Sequence, residues 1–379
     1  MDDDGWIGRE QILGAEARSK VPQEFQIQYP HYANPPTLFL VFESLIDKIR
    51  SKSDTKSKQP TKATDPFEPI RSAHLENPDV AIEYLRELYP LLKRHFFWFR
   101  RTQWGDIKSY DRDAFSTKEG YRWRGRTVRH ILTSGLDDYP RAQPPHPGEL
   151  HTDLISWMGM MTRSMRRIAE TIGEGDDAKE IAGYEEAIIK NIDDLHWDKE
   201  HKTYCDATID DYEESVHVCH KGYVSIFPFL TGLLPPDSPR LKHVLDLISD
   251  PEELWSDYGI RSLSQKDKFY NTDENYWRSP VWMNMNYLIV KSLLVRLIIL
   301  LFPFPLPQDI SNELRSRTSQ PNPAHTNPKP RKSIPRFART SWTTFLSSGR
   351  RRASRGNSIT LRLGRGKERS ILRGGRAWW

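Results

Sequence analysis

The sequence predicts an all-α fold of antiparallel helix pairs arranged as an α/α toroid, and three observations carry that prediction. Apolar residues recur at three- and four-residue spacing in seven separate segments, the period of an amphipathic helix. Strand-like alternation is scarce throughout the chain. The connecting loops concentrate Trp, Tyr, Arg and Asp, the composition of a polar cleft at one rim of a helical ring.

Composition narrows the class. At 379 residues and 37% hydrophobic content the chain has enough apolar mass for a large core. The net charge of +5 conceals a division: residues 307–379 hold 17 Lys and Arg against three acids, so the first 306 residues stand at −9. An acidic body argues against nucleic acid as its ligand, although the tail has the composition of an arm for anionic partners. With only Cys205 and Cys219, a disulfide framework is excluded and at most one bridge can form. His217, Cys219 and His220 lie near Cys205 and Asp206, but their spacing matches no usual zinc pattern, so neither a metal nor a cofactor is expected. The acidic start, Met-Asp-Asp-Asp-Gly-Trp, does not read as a signal peptide. The longest charge-free apolar run, Leu297 to Leu306, is shorter than the roughly 20 residues of a spanning helix, so no membrane span is expected.

In chain order, residues 5–13 and 29–37 read as rim loops, the second stiffened by prolines. Leu38, Val41, Phe42, Leu45, Ile46 and Ile49 mark the first long helix, with Asn34 a candidate cap. Residues 51–66 carry four lysines among Ser, Thr and Gln without apolar periodicity, which suggests an inserted surface loop. Asn77-Pro78 provides a cap and an N1 proline for a second helix running to Phe99, with a kink expected at Pro90. Leu154, Trp157, Met158, Met161, Met165, Ile168 and Ile172 form a stripe whose methionines read as core. Further helical patterns cover residues 178–192, 223–234, 241–248 and 283–299. Two domains result: residues 1–302 as the helical body, and residues 303–379 as a basic, low-complexity tail expected to be disordered.

Three loops carry the chemistry. Ser134-Gly-Leu-Asp-Asp-Tyr-Pro-Arg141 packs two acids, an aromatic and a guanidinium beside a Gly and a Pro that rule out a plain helix. In a cleft, one of two neighbouring aspartates can be held protonated and serve as a general acid. The same residues also suit an ordinary solvated turn. From Arg100 to Arg126, aromatic rings alternate with guanidinium groups, a pattern that suits sugar stacking, base stacking or core packing with outward arginines. The acidic body favours sugar. Asn275-Tyr-Trp-Arg-Ser-Pro-Val-Trp282 repeats that chemistry just before a helix, with Asp273 and Glu274 upstream.

Five motifs in order, Gly5-Trp-Ile-Gly-Arg-Glu-Gln11, Tyr121-Arg-Trp-Arg-Gly-Arg126, Gly135-Leu-Asp-Asp-Tyr-Pro-Arg141, Gly222-Tyr-Val-Ser-Ile-Phe-Pro228 and Tyr276-Trp-Arg-Ser-Pro-Val-Trp282, resemble the processing α-glucosidase I family of mannosyl-oligosaccharide glucosidases. The resemblance runs from about Asp3 to about Leu294 and is fungal-like. It implies an (α/α)6 catalytic toroid that removes the terminal α-1,2-linked glucose from the Glc3Man9GlcNAc2 N-glycan of nascent glycoproteins by inversion. It further implies Asp137 as general acid, Tyr121, Trp123, Arg124, Trp277 and Arg278 around the glucose, and Asp138 and Arg141 as partners that set the acid's position and protonation. The implied location is the lumenal side of the endoplasmic reticulum membrane.

Ser279 stands where the family usually has Gly or Ala. The family's membrane anchor, its N-terminal β-sandwich and the Trp-Glu-Gln-Tyr segment bearing its catalytic base do not occur in this sequence, so the toroid is expected to be incomplete. Two neighbouring aspartates sit on one side of a bound sugar and cannot serve as acid and base of an inverting pair, whose carboxylates stand about 6.5–9.5 Å apart. Glu274 is another available acid. Competing expectations are a trehalase-like toroid hydrolase and a non-catalytic glycan-binding remnant.

Overall fold

A computed structural model describes residues 1–9, 12–26, 28–53 and 72–301 of the chain. The tail at 303–379 and most of the inserted loop at 51–66 lie outside them. Ten α-helices are present among the described residues: α1 Gly14–Lys20, α2 Gln23–Gln26, α3 Leu38–Ser53, α4 Ala73–Glu76, α5 Pro78–Thr102, α6 Thr152–Ile172, α7 Gly175–His196, α8 Phe227–Leu230, α9 Arg240–Ser249 and α10 Met283–Leu301.

Helix α6 is the centre. Leu154, Ile155, Met158, Met160, Met161, Met165 and Ile168 are all fully buried, as expected of a helix surrounded on every side. It packs against α3, α5, α7 and α8. A side chain at Gly159 would meet Leu233 at 2.5 Å, so the small residue lets the turn after α8 approach the helix. The predicted cap of α5 is observed: the Asn77 side chain accepts the Asp79 N–H at 3.0 Å, and Pro78 occupies the first turn. Pro90 lies inside α5, which continues through it to Thr102.

Several expectations are corrected. Asn34 does not cap α3; its amide donates to the Ile7 carbonyl at 3.2 Å and ties the two N-terminal loops together. The first exposed turn of α3 leaves Leu38 and Val41 in solvent while Phe39, Leu45, Ile46 and Ile49 enter the core. The segment 223–234 forms only a 3-10 turn, Val224–Ile226, and the short α8. Pro228 lies in the first turn of that helix, and Gly232, at φ +71°, turns the chain out of it. Strand pairing among the described residues is sparse but real, in three two-stranded antiparallel sheets: β1 Trp197–Asp198 with β2 Thr203–Tyr204, β3 Asp206–Ile209 with β4 Ser215–Val218, and β5 Trp255–Ser256 with β6 Gly259–Ile260. None of these was legible from alternation, because strands of two to four residues are too short to display a period.

On α10, Leu288, Ile289 and Leu293 face the core while Met283, Tyr287, Val290 and Leu294 are exposed on another face. No helix among the described residues is long and apolar enough to cross a membrane.

Candidate active site

The acidic loop begins at a 3-10 turn, Leu132–Ser134, closed by Gly135 at φ +71°. The Ser134 hydroxyl donates to the Ile131 carbonyl at 2.7 Å and accepts the Leu136 N–H at 3.0 Å, which fixes the turn. The two aspartates then take different environments. Asp137 is half-buried, and its carbonyl accepts the Ile131 N–H at 2.8 Å. Asp138 is 2% exposed.

Asp138 binds the second motif along its backbone. Its carboxylate accepts the Tyr276 N–H at 2.9 Å and the Trp277 N–H at 2.6 Å, and its carbonyl accepts Arg278 Nε at 2.8 Å. A buried carboxylate with two backbone donors and a nearby guanidinium is fully employed in holding two loops together. Asn271, Asp273 and Asn275 all have positive φ, so the segment leading to Tyr276 is a chain of tight turns. Arg278 braces it by donating to Thr272 Oγ1 at 3.0 Å and to the Asp273 carboxylate.

Three aromatic rings cap this junction. Trp277 and Trp282 stack with centroids 4.1 Å apart and planes 13° from parallel, and Tyr276 meets Trp282 edge-on at 4.8 Å. Trp277 is buried while Tyr276 is 47% exposed, so the solvent-facing aromatic surface comes from Tyr276 and the partly exposed Trp282. Burial, reinforced by the negative charges of Asp137 and Asp138, pushes the Tyr276 phenol above its ordinary value. Just before Tyr276 in the chain, the Glu274 carboxylate lies 3.0 Å from His130 Nε2.

The other residues expected at the sugar occupy deeper positions. Tyr121 is 1% exposed and donates to Glu119, which also pairs with Arg100. Burial and the Glu119 charge hold the Tyr121 phenol well above its usual range. Trp123 is wholly buried, with its backbone N–H donated to His151 Nδ1 at 3.0 Å. Arg124 donates to the carbonyls of Thr102 at 2.9 Å and Trp104 at 2.7 Å, which joins the end of α5 to the acidic loop's approach.

Arg141 is 3% exposed and lies between two buried carboxylates. It donates to Asp153 at 3.1 and 2.7 Å and to Asp206 at 2.7 Å. Burial would lower the Arg141 pKa, but Asp153 and Asp206 outweigh it and the guanidinium is held charged. Burial likewise opposes the Asp206 charge, and Arg141, with His151, reverses that and keeps the carboxyl below the usual range. Asp206 also accepts the Thr152 N–H at 2.9 Å, so strand β3, the start of α6 and the acidic loop meet at one ionic junction. Sequence reading found Arg141 but neither carboxylate partner, since nothing in the local pattern around Asp153 or Asp206 marks a contact 12 or 65 residues away.

Cys205 and Cys219 form a disulfide, with Cα atoms 4.7 Å apart. Asp198, His201 and Cys219 bring possible metal-ligand atoms within 4.8 Å of one another, but a disulfide sulfur supplies no thiolate. His217 is engaged with Asp198 and the Leu195 carbonyl, and His220 Nδ1 with Asp267 at 2.8 Å. A cavity of about 810 Å³ opens elsewhere, between the 109–113 segment and the β3–β4 hairpin, with Arg112, His146 and Asp210 in its walls and none of the predicted site residues.

Comparison with known proteins places the chain among relatives. The chain is 53% identical over 298 residues to a protein of Schizosaccharomyces pombe named "Probable mannosyl-oligosaccharide glucosidase", with 77% of this chain and 37% of that protein covered. It is 45% identical over 306 residues to the mannosyl-oligosaccharide glucosidase of Saccharomyces cerevisiae, again across 77% of this chain and 37% of the relative. The chain thus spans a little over a third of the length of these relatives. Among solved structures, the GH63 mannosylglycerate hydrolase of Thermus thermophilus in complex with glucose superposes with a TM-score of 0.50 at 16% identity, covering 78% of this chain and 72% of the other, a likeness of fold alone. The glycosyl hydrolase family 63 C-terminal domain matches residues 1–297, and the chain belongs to that family.

Proposed function

We propose that this chain carries the acid side of an inverting glucosidase site that acts on the terminal α-1,2-linked glucose of N-linked oligosaccharides. The observation that carries the reading is the clamp between the two motif loops: Asp138 accepts two consecutive N–H groups at 276 and 277, while its neighbour Asp137 is half-buried and close enough for its charge to act on the Tyr276 phenol. A half-buried carboxyl beside an aromatic surface suits protonation of a glycosidic oxygen while a pyranose face rests on the rings. Asp137 is the general acid in this reading. Trp277 and Arg278 back the sugar-facing surface, Tyr121, Trp123 and Arg124 support the rim from below, and Asp138 and Arg141 position the acid.

In this reading the helices belong to an (α/α)6 toroid; inversion requires a second carboxylate about 6.5–9.5 Å from the acid, with room for a water between them, and no residue of this chain is assigned that role. The names of the relatives support the oligosaccharide substrate. The Cys205–Cys219 bridge suits an oxidising compartment and supports a lumenal location in the endoplasmic reticulum.

Hydrolysis of an α-1,2-linked glucose disaccharide and of the triglucosylated N-glycan tests this, with trehalose as the contrasting substrate. The expected result is binding of the first two by this chain and, where the opposing carboxylate is supplied, release of β-configured glucose that Asp137→Asn abolishes with binding retained. Turnover of trehalose in preference, or equal turnover by Asp137→Asn, refutes it.

A further inference from the structure

The acidic loop is anchored downstream at two points, and each anchor is the residue that directly follows a half-cystine. Arg141 donates to Asp206, next to Cys205, at 2.7 Å. The Tyr139 hydroxyl donates to the carbonyl of His220, next to Cys219, also at 2.7 Å. Both anchoring side chains are interior: Tyr139 and Arg141 are each 3% exposed. The bridge between the cysteines therefore closes a ring that runs from the loop through Arg141 and Asp206, across the disulfide, and back through His220 and Tyr139.

The surroundings hold the ring tight. A side chain at Gly222 would lie 2.4 Å from the Tyr139 hydroxyl and 2.3 Å from the Ser262 carbonyl, so only glycine lets the backbone pass under the phenol. The Ser225 hydroxyl also donates to the His220 carbonyl at 3.1 Å, and the His220 ring is held by Asp267. Cys205 donates its N–H to the His196 carbonyl at 2.8 Å and is 1% exposed. Between the cysteines the chain pairs over only four residues per strand, Asp206–Ile209 with Ser215–Val218, and its turn is exposed. The Leu150 and Ala207 backbones exchange N–H···O bonds of 2.9 and 3.0 Å that hold β3, but a two-stranded ladder of four residues is weak in itself and does not alone fix the distance between Asp206 and His220.

We propose that the Cys205–Cys219 disulfide is a positioning element for the acidic loop, setting the separation of the two points from which Tyr139 and Arg141 suspend Asp137. This rests on the assignment of Asp137 as the acid, but the mechanical coupling can be measured without it. The role assigned to the bridge is local: it orders one loop, and the helical core stands without it.

The test is amide hydrogen exchange on the full chain and on two variants, Cys205→Ala/Cys219→Ala and Tyr139→Phe, alongside the glucosidase assay. The Tyr139 N–H, bonded to the Leu136 carbonyl at 3.1 Å, and the Leu136 N–H, bonded to Ser134, report on the loop. In both variants exchange at these amides is expected to rise about tenfold, the effect of one lost hydrogen bond, while the middle of α6 changes by less than about twofold. In the assay kcat is expected to fall by more than about fivefold with KM within about twofold, the split of a misplaced acid. The Tyr139→Phe variant keeps the bridge and the aromatic ring, so it remains informative if the cysteine variant folds poorly. Unchanged exchange in the loop of either folded variant overturns the proposal, as does a uniform rise that includes α6. If the parent chain shows no hydrolysis, the exchange data still decide the coupling, and the assignment of Asp137 is judged separately by turnover in a chain that carries the opposing carboxylate.

Discussion

Replacing Arg141 by methionine removes the cation from a junction in which three side chains are almost completely enclosed. Arg141, Asp153 and Asp206 are 3%, 0% and 4% exposed, and the guanidinium makes three contacts of 2.7–3.1 Å to the two carboxylates. Breaking a buried ion pair by deleting one partner costs about 3–5 kcal/mol, because the remaining charge stays enclosed without its counterion. Here two carboxylates lose a shared partner, which argues for the upper end. His151 and Arg126 lie close enough to Asp206 to relieve part of that cost, so about 4 kcal/mol is expected at pH 7. In the parent, the depressed Asp206 pKa contributes stability that is present above the unfolded value of about 3.9 and is lost as pH falls through the folded value. In the variant the Asp206 carboxyl, left without its counterion, titrates upward, so the penalty shrinks between pH 7 and pH 5 as it takes up a proton. Urea denaturation at both pH values measures this. A loss below about 1 kcal/mol at pH 7, or a loss that is the same at pH 5, would show that the junction is solvated or redundant and refute the reasoning.

Asp138→Asn retains one acceptor oxygen but turns an amide NH2 toward a backbone N–H at 276 or 277; a destabilisation of about 1–3 kcal/mol and increased mobility of the 272–282 loop are expected by denaturation and hydrogen exchange. Gly222→Ala forces a methyl into a gap bounded by the Ser262 carbonyl at 2.3 Å and the Tyr139 hydroxyl at 2.4 Å; a cost of about 1–3 kcal/mol is expected from the melting transition, and a neutral outcome would mean the loop yields freely. His196 is completely buried, bonded through Nδ1 to the Cys205 carbonyl at 2.9 Å, and burial pushes its pKa down to about 4. A histidine with a depressed folded pKa contributes stability fully present above about pH 6.5 and lost as pH falls toward 4, up to about 3 kcal/mol. Comparing the pH dependence of unfolding with that of His196→Gln isolates that loss between those values.

Much of the helical framework was legible because it rests on local physics. Asn77-Pro78 is a cap and an N1 proline in any context, and α5 begins there. The Leu154–Ile172 stripe became the buried α6, its methionines in the core as their spacing required. Shorter features were lost for the same reason: the pairing of Asp206–Ile209 with Ser215–Val218 spans four residues per strand, too few to separate from loop by periodicity. Asn34 stood at a plausible capping distance from α3, but Ile7, distant in sequence, captured its amide.

The candidate site divides along the same line. By itself the sequence determined the residue types of the motifs at 121–126, 135–141 and 276–282, since each is contiguous and can be read in one place. Direction and depth were decided only by the tertiary structure. Tyr121 and Trp123 point into the core while Tyr276 faces solvent, although all three are aromatics in loops that also carry arginine, because burial depends on what lies across the fold and not on neighbours in the chain. The unequal fates of Asp137 and Asp138 arise likewise from the backbone N–H groups of Tyr276 and Trp277, 138 and 139 residues away, which reach one carboxylate and leave its neighbour at the rim.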